Sequence, residues 1–309
     1  DREARRPPEL LTRDHVARCI MREVRDGRGS PHGGVYLDIA WIKERLPNAE
    51  EHIKRKLPSM YHQFKQLANV DITKEVMEVG PTTHYTMGGI KVDPDSQMSA
   101  VPGLFAAGEC AAGLHGANRL GGNSLSDLVV FGKRAGEFAA NFAQEKGSGI
   151  IDEGQVEQVI NRALAPLERE GGEQPYAIQS ELQEKMQDLV GIVRREEEMQ
   201  QALGIVAELK ERAERVSAPG NREYNPGWHT AIDLDNLLTV SEAIALSAIE
   251  RKESRGGHFR DDYPDKDAEH FAKVNVRVRK GADGRMQVDQ LPMAKMPEDL
   301  QAIIDEESK

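Results

Sequence analysis

The chain has 309 residues, which is enough for two or three modest domains. Its content of 39% hydrophobic and 30% charged residues is typical of a water-soluble protein. The formal net charge of -11 argues against nucleic acid as a partner, because phosphate backbones bind cationic surfaces. No apolar run approaches the ~20 residues of a membrane span. Cys19 and Cys110 provide neither a disulfide framework nor a zinc spacing, so we expect a reducing compartment and no metal site.

The amino-terminal segment shows no signal-peptide pattern and no initiating methionine, which predicts that the sequence begins inside a longer protein. Thr12 is a predicted N-cap, and apolar residues at helical spacing follow it until Gly27 or Gly29. Arg13 would then be the first helical residue. Such an arginine is usually solvated, and the alternative is that it points at an anion. A strand and two helices are predicted next, over 34–38, 41–57 with an interruption at Pro47, and 58–70.

Three features lie close together in the middle of the chain. His84 precedes a glycine pair. The apolar run 104–109 predicts a buried strand that delivers Glu109 to a ligand. A glycine-rich loop, 116–122, carries Arg119 and would let its backbone approach a flat or anionic group.

A helix should follow this loop, with Asn123 or Ser124 as its cap. Its start would offer partial positive charge and free N–H groups, which suit the part of a cofactor that becomes negative on reduction. Taken alone, such a loop is more often a plain turn before a core helix. The apolar positions that suit burial against a sheet are Leu125, Leu128, Val129, Phe131, Gly132, Ala135 and Phe138.

The rest of the chain predicts a helical bundle and a hairpin. Beyond a linker at 147–149, helical periodicity over three segments indicates an antiparallel bundle: 155–170, 180–216 and 229–252. Residues 254–263 read as a loop that packs the bundle onto the preceding domain, with a ligand role for Arg255 or His258 as an alternative. Alternating apolar residues over 274–288 predict a hairpin, and the acidic tail beyond it is a candidate for contact with a partner subunit.

Taken together, the segments HYTMGG (84–89), GLFAAGE (103–109) and LHGANRLGGNSL (114–125) resemble the flavoprotein subunit of succinate dehydrogenase and fumarate reductase. The loop SRGGHFRDDYP (254–264) extends the resemblance. It implies an α/β plus α fold, with parts of a Rossmann-like FAD-binding domain and of a capping domain, then a helical bundle and a short β-containing segment. The implied domains are a partial capping domain, the FAD-binding part, the bundle, and the hairpin with its tail, at 1–83, 84–147, 148–265 and 266–309.

The function implied by the resemblance is FAD-dependent oxidation of succinate to fumarate, or the reverse. Arg13 would exchange the proton at the substrate carbon, and His84 and Arg119 would bind the substrate carboxylates. The residues implied to contact FAD are Gly108, Glu109, Asn123, Ser124 and Leu125.

The resemblance also implies partners and a location. Electrons would pass to an iron–sulfur subunit, and contact with the cytoplasmic side of a bacterial inner membrane would come only through partner subunits. No GxGxxG motif and no segment for the adenosine half of FAD is found, so the resemblance covers roughly the second half of the usual chain. The alternatives are an L-aspartate oxidase-like flavoenzyme and a fragment that acts only as a scaffold.

Overall fold

The computed structural model describes residues 11–307, which form two compact units, one ending at Thr86 and the other beginning at Met87. Nothing in this division tests the four-domain scheme, which stays a prediction.

The first unit begins with helix α1, Arg13–Glu23, and Thr12 is its N-cap residue as predicted, although its side chain makes no capping hydrogen bond. A π-helical turn, Val24–Arg28, continues α1 and ends at Gly29. The predicted strand is confirmed as β1, Val35–Leu37, which pairs antiparallel with β2, Met77–Val79.

Two short helices of the first unit pack beneath this pair of strands. They are α2, Ala49–Lys56, and α3, Pro58–Leu67, and a 3-10 turn at Ala40–Glu44 precedes them. A small core joins them to the strands through three buried apolar side chains, Ile53, Ile72 and Met77. Burial of this apolar surface is what holds the short elements together.

The second unit opens with irregular chain in which the predicted strand over 104–109 is absent. Phe105 forms only an isolated bridge with Met98, Leu104 is exposed, and the chain turns into a 3-10 turn at Gly108–Cys110. The strand prediction was therefore wrong. The backbone bonds of this run close a local loop, with the Ala106 N–H donating to the Gln97 carbonyl at 3.0 Å.

Helix α4, Asn123–Lys146, follows the glycine-rich loop as predicted, but its start and its burial differ from expectation. The N-cap residue is Gly122, and no side chain caps the helix, so the prediction of a cap by Asn123 or Ser124 was wrong. The apolar side predicted to be buried is largely open, with Leu125 71% and Val129 74% exposed. Within the described part of the chain, no sheet covers it.

The bundle contains four helices where three were predicted. They are α5, α6, α7 and α8, at Glu153–Glu168, Pro175–Leu189, Glu196–Ala213 and Pro226–Glu250. The predicted helix 180–216 breaks between α6 and α7, because the Arg194 backbone pairs instead with Phe259 and Asp261. The main core is formed by Val216, just after α7, and by side chains at helical spacing on α6, α7 and α8: Ile178, Leu182, Val206, Leu209, Ala213, Ala231, Leu234 and Leu238.

The predicted hairpin is confirmed at the end of the second unit. Strands β3, Val274–Lys280, and β4, Met286–Pro292, pair antiparallel with Val278 opposite Val288. Helix α9, Glu298–Glu307, lies in the acidic tail. Across residues 11–307, no helix combines the length and apolar character needed to cross a bilayer.

Candidate active site

Arg13 is the first residue of α1, as predicted, and its side chain is exposed. It lines a groove with Val16 and Ile20 of α1 and with Val79 and Pro81 at the end of β2. The guanidinium supplies several N–H donors at this otherwise apolar surface. The groove therefore combines one cationic side chain with an apolar wall.

His84 follows β2 in the same unit, and its ring is exposed. Arg119 and the residues expected to contact FAD belong to the second unit. The structure therefore distributes the predicted site residues over both units, with Arg13 and His84 in the first and Arg119 in the second.

Arg119 is held in its loop by main-chain contacts. Its backbone N–H donates to the Met87 sulfur at 3.0 Å, and its Nη1 donates to the Leu120 carbonyl at 3.4 Å. At the start of the loop, the His115 Nε2 lies 3.2 Å from an Asp127 carboxylate oxygen on α4, and both side chains are buried. The half-buried arginine thus belongs to a loop that is tied down at several points.

A second contact to this loop comes from the bundle. The Gly257 N–H donates to the Ala117 carbonyl at 2.9 Å. Gly256 adopts a left-handed φ of 59°, and a Cβ there would overlap the same carbonyl oxygen. The predicted packing of the 254–263 loop onto the preceding segment is confirmed at these residues.

Arg255 and His258, the alternative ligands in that loop, make internal contacts. The Arg255 guanidinium donates to both carboxylate oxygens of the fully buried Glu253, at 2.8 and 3.0 Å. Burial lowers the pKa of His258 to about 4, and the nearby Arg194 guanidinium adds to the effect. These contacts favour a structural role for both side chains.

The residues expected to contact FAD surround the start of α4. Gly122 has a φ of 83° and opens the helix without a capping side chain, so the first N–H groups, including those of Ser124 and Leu125, have no side-chain cap as acceptor. Gly108 lies so close to α4 that a Cβ there would overlap the Leu128 side chain. Free N–H groups at a helix start carry partial positive charge and can donate to an anionic or electron-rich group.

Glu109 and Asn123 complete the predicted set. Glu109 is exposed in the 3-10 turn beside α4, where its carboxylate can accept hydrogen bonds from hydroxyl groups. Asn123 is the first residue of α4, and its N–H donates to the Leu120 carbonyl at 3.2 Å. Its own N–H is therefore less suited to a ligand than those of the next two residues.

Sequence reasoning missed three residues that hold the Arg119 loop: Met87, His115 and Asp127. The only available signal was their proximity to recognised motifs, since Met87 lies within HYTMGG and His115 precedes GANR. Their partners depend on how the chain folds back on itself, which no spacing rule supplies.

Two family models match this chain. The family model for the FAD binding domain matches residues 1–125, and the model for the fumarate reductase flavoprotein C-terminus matches residues 179–302. The chain belongs to the succinate dehydrogenase and fumarate reductase flavoprotein family. FAD is the cofactor of this family, and the resemblance noted from the sequence is confirmed.

Individual relatives support the same assignment. The chain is 39% identical over 290 residues to the fumarate reductase flavoprotein subunit of Escherichia coli, covering 91% of this chain and 47% of that protein. It is 37% identical over 289 residues to the succinate dehydrogenase flavoprotein subunit of Coxiella burnetii, covering 88% of this chain and 48% of that protein.

A solved structure of Mycobacterium smegmatis Sdh1 in complex with UQ1 matches with a TM-score of 0.85 and 53% identity. The match covers 97% of this chain and 50% of that chain. The chain therefore spans about half the length of the relatives that it matches. The predicted α/β plus α fold class is confirmed by these structural matches.

Proposed function

We propose that this family member, in its full-length form, interconverts succinate and fumarate with bound FAD and passes electrons to an iron–sulfur partner subunit. The observation that carries the proposal is the Arg119 loop, which is anchored by neighbouring segments immediately before the uncapped start of α4. In one short stretch, this loop would supply the side chain that binds a carboxylate, and α4 would supply the helix start that binds the flavin. Relatives in the family are named for succinate dehydrogenase or fumarate reductase.

Arg119 is assigned to one substrate carboxylate. A guanidinium presents parallel N–H groups that match the two oxygens of a carboxylate, and each charge-assisted hydrogen bond contributes about 1.5–3 kcal/mol. His84 is assigned to a carboxylate as a second donor. A dicarboxylate carries two negative charges, so two separate groups of donors are needed to orient it.

Arg13 is assigned to the proton that the substrate carbon gains or loses. Its place at the first position of α1, in a groove with an apolar wall, is compatible with a cation that contacts a small dicarboxylate. A guanidinium next to a helix start also lies beside the partial positive charge of the helix dipole. The assignment itself comes from the segment RDHVAR (13–18), which resembles the stretch in which the family carries its proton-exchanging arginine.

FAD, when bound, supplies the hydride acceptor or donor for the reaction. Glu109 would accept hydrogen bonds from ribityl or ribose hydroxyls, and Gly108 would let the turn that carries Glu109 lie close to α4. The N–H groups of Ser124 and Leu125, with Asn123 beside them, would face the pyrimidine edge of the flavin ring.

We further propose that this is a bacterial protein at the cytoplasmic face of the inner membrane, held there by its partner subunits.

The first test is the visible spectrum and activity of the full-length protein. We expect flavin absorbance and succinate–fumarate turnover, and a colourless, inactive preparation would leave only a scaffold role.

Two substitutions then separate the assigned roles. Arg13→Lys should lower turnover by several orders of magnitude with little change in the inhibition constant of malonate, whereas Arg119→Ala should weaken malonate at least about tenfold.

A matched control is Arg134→Ala. Arg134 lies on α4 and pairs with the exposed Asp95 at 2.9 Å, so its loss removes an arginine from the same region without touching the proposed site. We expect unchanged malonate inhibition in this variant. An unaltered malonate constant in Arg119→Ala would refute the carboxylate assignment, and normal turnover in Arg13→Lys would remove Arg13 from the reaction.

A further inference from the structure

We infer that residues 254–258, the SRGGH segment of the bundle, are a positioning element for the substrate-binding Arg119. This inference rests on the proposed function and extends it, because it gives the helical bundle a direct part in the geometry of the site. Three sets of contacts within the second unit connect this segment to Arg119.

The first contact joins two backbones. The Gly257 N–H donates to the Ala117 carbonyl at 2.9 Å, just before Arg119 in the chain. The neighbouring Gly256 has a φ of 59°, and a Cβ built on it would overlap the Ala117 carbonyl oxygen and lie 2.9 Å from the Ala117 Cβ. Only glycine allows the two segments to approach this closely.

The second contact comes from Met87, which lies between the two segments. Its sulfur accepts the Arg119 N–H at 3.0 Å. Its terminal methyl carbon is 3.2 Å from the position that a Cβ on Gly257 would occupy. Met87 therefore contacts the arginine backbone on one side and the SRGGH segment on the other.

The third set of contacts makes the SRGGH segment rigid. The His258 Nδ1 lies 2.9 Å from the Arg194 Nη1, and its Nε2 lies 3.0 Å from the Arg251 carbonyl. An arginine can only donate, so Nδ1 is the acceptor and the ring is neutral with its proton on Nε2. Arg255 is fixed by its two hydrogen bonds to Glu253.

A rigid support matters because a bidentate hold on a carboxylate depends on where the guanidinium lies. A shift of about 1 Å in a positioning group can change the rate of reaction by about a hundredfold. Moving the Ala117 backbone would move the start of the segment that carries Arg119. The expected consequence is weaker dicarboxylate binding, with the flavin still in place.

The test compares two glycine substitutions in the full-length protein. Gly256→Ala adds a methyl group at the contact with Ala117, whereas Gly171→Ala adds one at a left-handed glycine, φ 74°, with open space around it. Both carry similar backbone strain, so the contact is what differs. We expect Gly256→Ala to weaken malonate inhibition and raise the KM for succinate at least about tenfold. Flavin content should stay unchanged, and Gly171→Ala should keep the wild-type constants.

Met87→Leu provides a second measurement, and it decides the matter if Gly256→Ala does not fold. Leucine keeps the apolar volume but removes the sulfur that accepts the Arg119 N–H, so we expect a rise of about three- to tenfold in the same constants. Wild-type malonate and succinate constants in a folded Gly256→Ala, or in Met87→Leu where the first variant is unfolded, would overturn the inference. Failure of the wild-type protein itself to bind malonate would instead reject the proposed function.

Discussion

Helices α8 and α4 are almost equal in length, 25 and 24 residues, yet they bury very different surfaces. Six residues of α8 are buried, including Leu234 and Leu238, whereas Asp127 is the buried residue of α4. Helix α8 packs against α6 and α7 in the bundle core. The apolar side of α4 meets no comparable layer among residues 11–307. An apolar stripe thus predicts that a helix can be buried, while burial itself requires a second element.

The largest expected difference between these regions lies in the cost of truncating a side chain. Leu234→Ala should lower the free energy of unfolding of the 309-residue chain by about 2–5 kcal/mol, because a fully buried side chain leaves a cavity. Val129→Ala on α4 should cost less than about 0.5 kcal/mol, because that side chain is 74% exposed. Urea denaturation measures both. Equal costs would mean that α4 is covered in solution and would erase the contrast.

The buried His258 should make the stability of the bundle region depend on pH. Burial holds the pKa of His258 at about 4, below its unfolded value of about 6.5, so unfolding takes up a proton between these values. The stability contributed by the neutral ring is complete above about pH 6.5 and is lost as the pH falls towards 4. The loss over this range is about 3 kcal/mol.

Denaturation midpoints measured between pH 7 and pH 4 would check this dependence. His258→Gln should lower stability at pH 7 and flatten the pH profile over that range, because the titrating group is gone. A variant that keeps the slope of the wild-type protein would assign the effect to another group.

The smallest expected effect separates the two helix starts. Asp152 caps α5, its carboxylate accepting from the N–H groups of Gly154 and Gln155 at 2.9 and 3.2 Å, whereas α4 starts without a side-chain cap. Asp152→Ala should cost about 1 kcal/mol, and Asp152→Asn, which keeps an acceptor, should cost little. Ser124→Ala at the start of α4 should be nearly neutral in the chain without cofactor. A cost of about 1 kcal/mol for Ser124→Ala would show that Ser124 caps α4 in solution.

Local patterns were sufficient where a structure depends on near neighbours. Thr12 and the glycines at 27 and 29 bracket the first helix as predicted, and the alternation around Val278 and Val288 produces the hairpin. Helical spacing identified the bundle helices because their buried faces are built from residues three and four apart. The motifs around His84 and Arg119 were sufficient to identify the family.

Local patterns failed where the backbone had a distant partner. The predicted helix 180–216 breaks because Arg194 pairs with backbone near Phe259, and the predicted strand at 104–109 does not form because the chain closes a local loop with Gln97 instead. No periodicity within a short window reports such pairings. A hydrogen bond to a remote segment can outweigh the modest intrinsic preference of the residues that form it.

The sequence by itself determined where most helices and the hairpin form, because helical and strand periodicities are local properties. It also determined the family, because the glycine-rich motifs are short local segments. The tertiary structure alone decided that Gly257 contacts Ala117 and that Met87 supports Arg119. These features depend on which distant backbone groups meet, and close packing between segments far apart in the chain is the physical reason that they meet where they do.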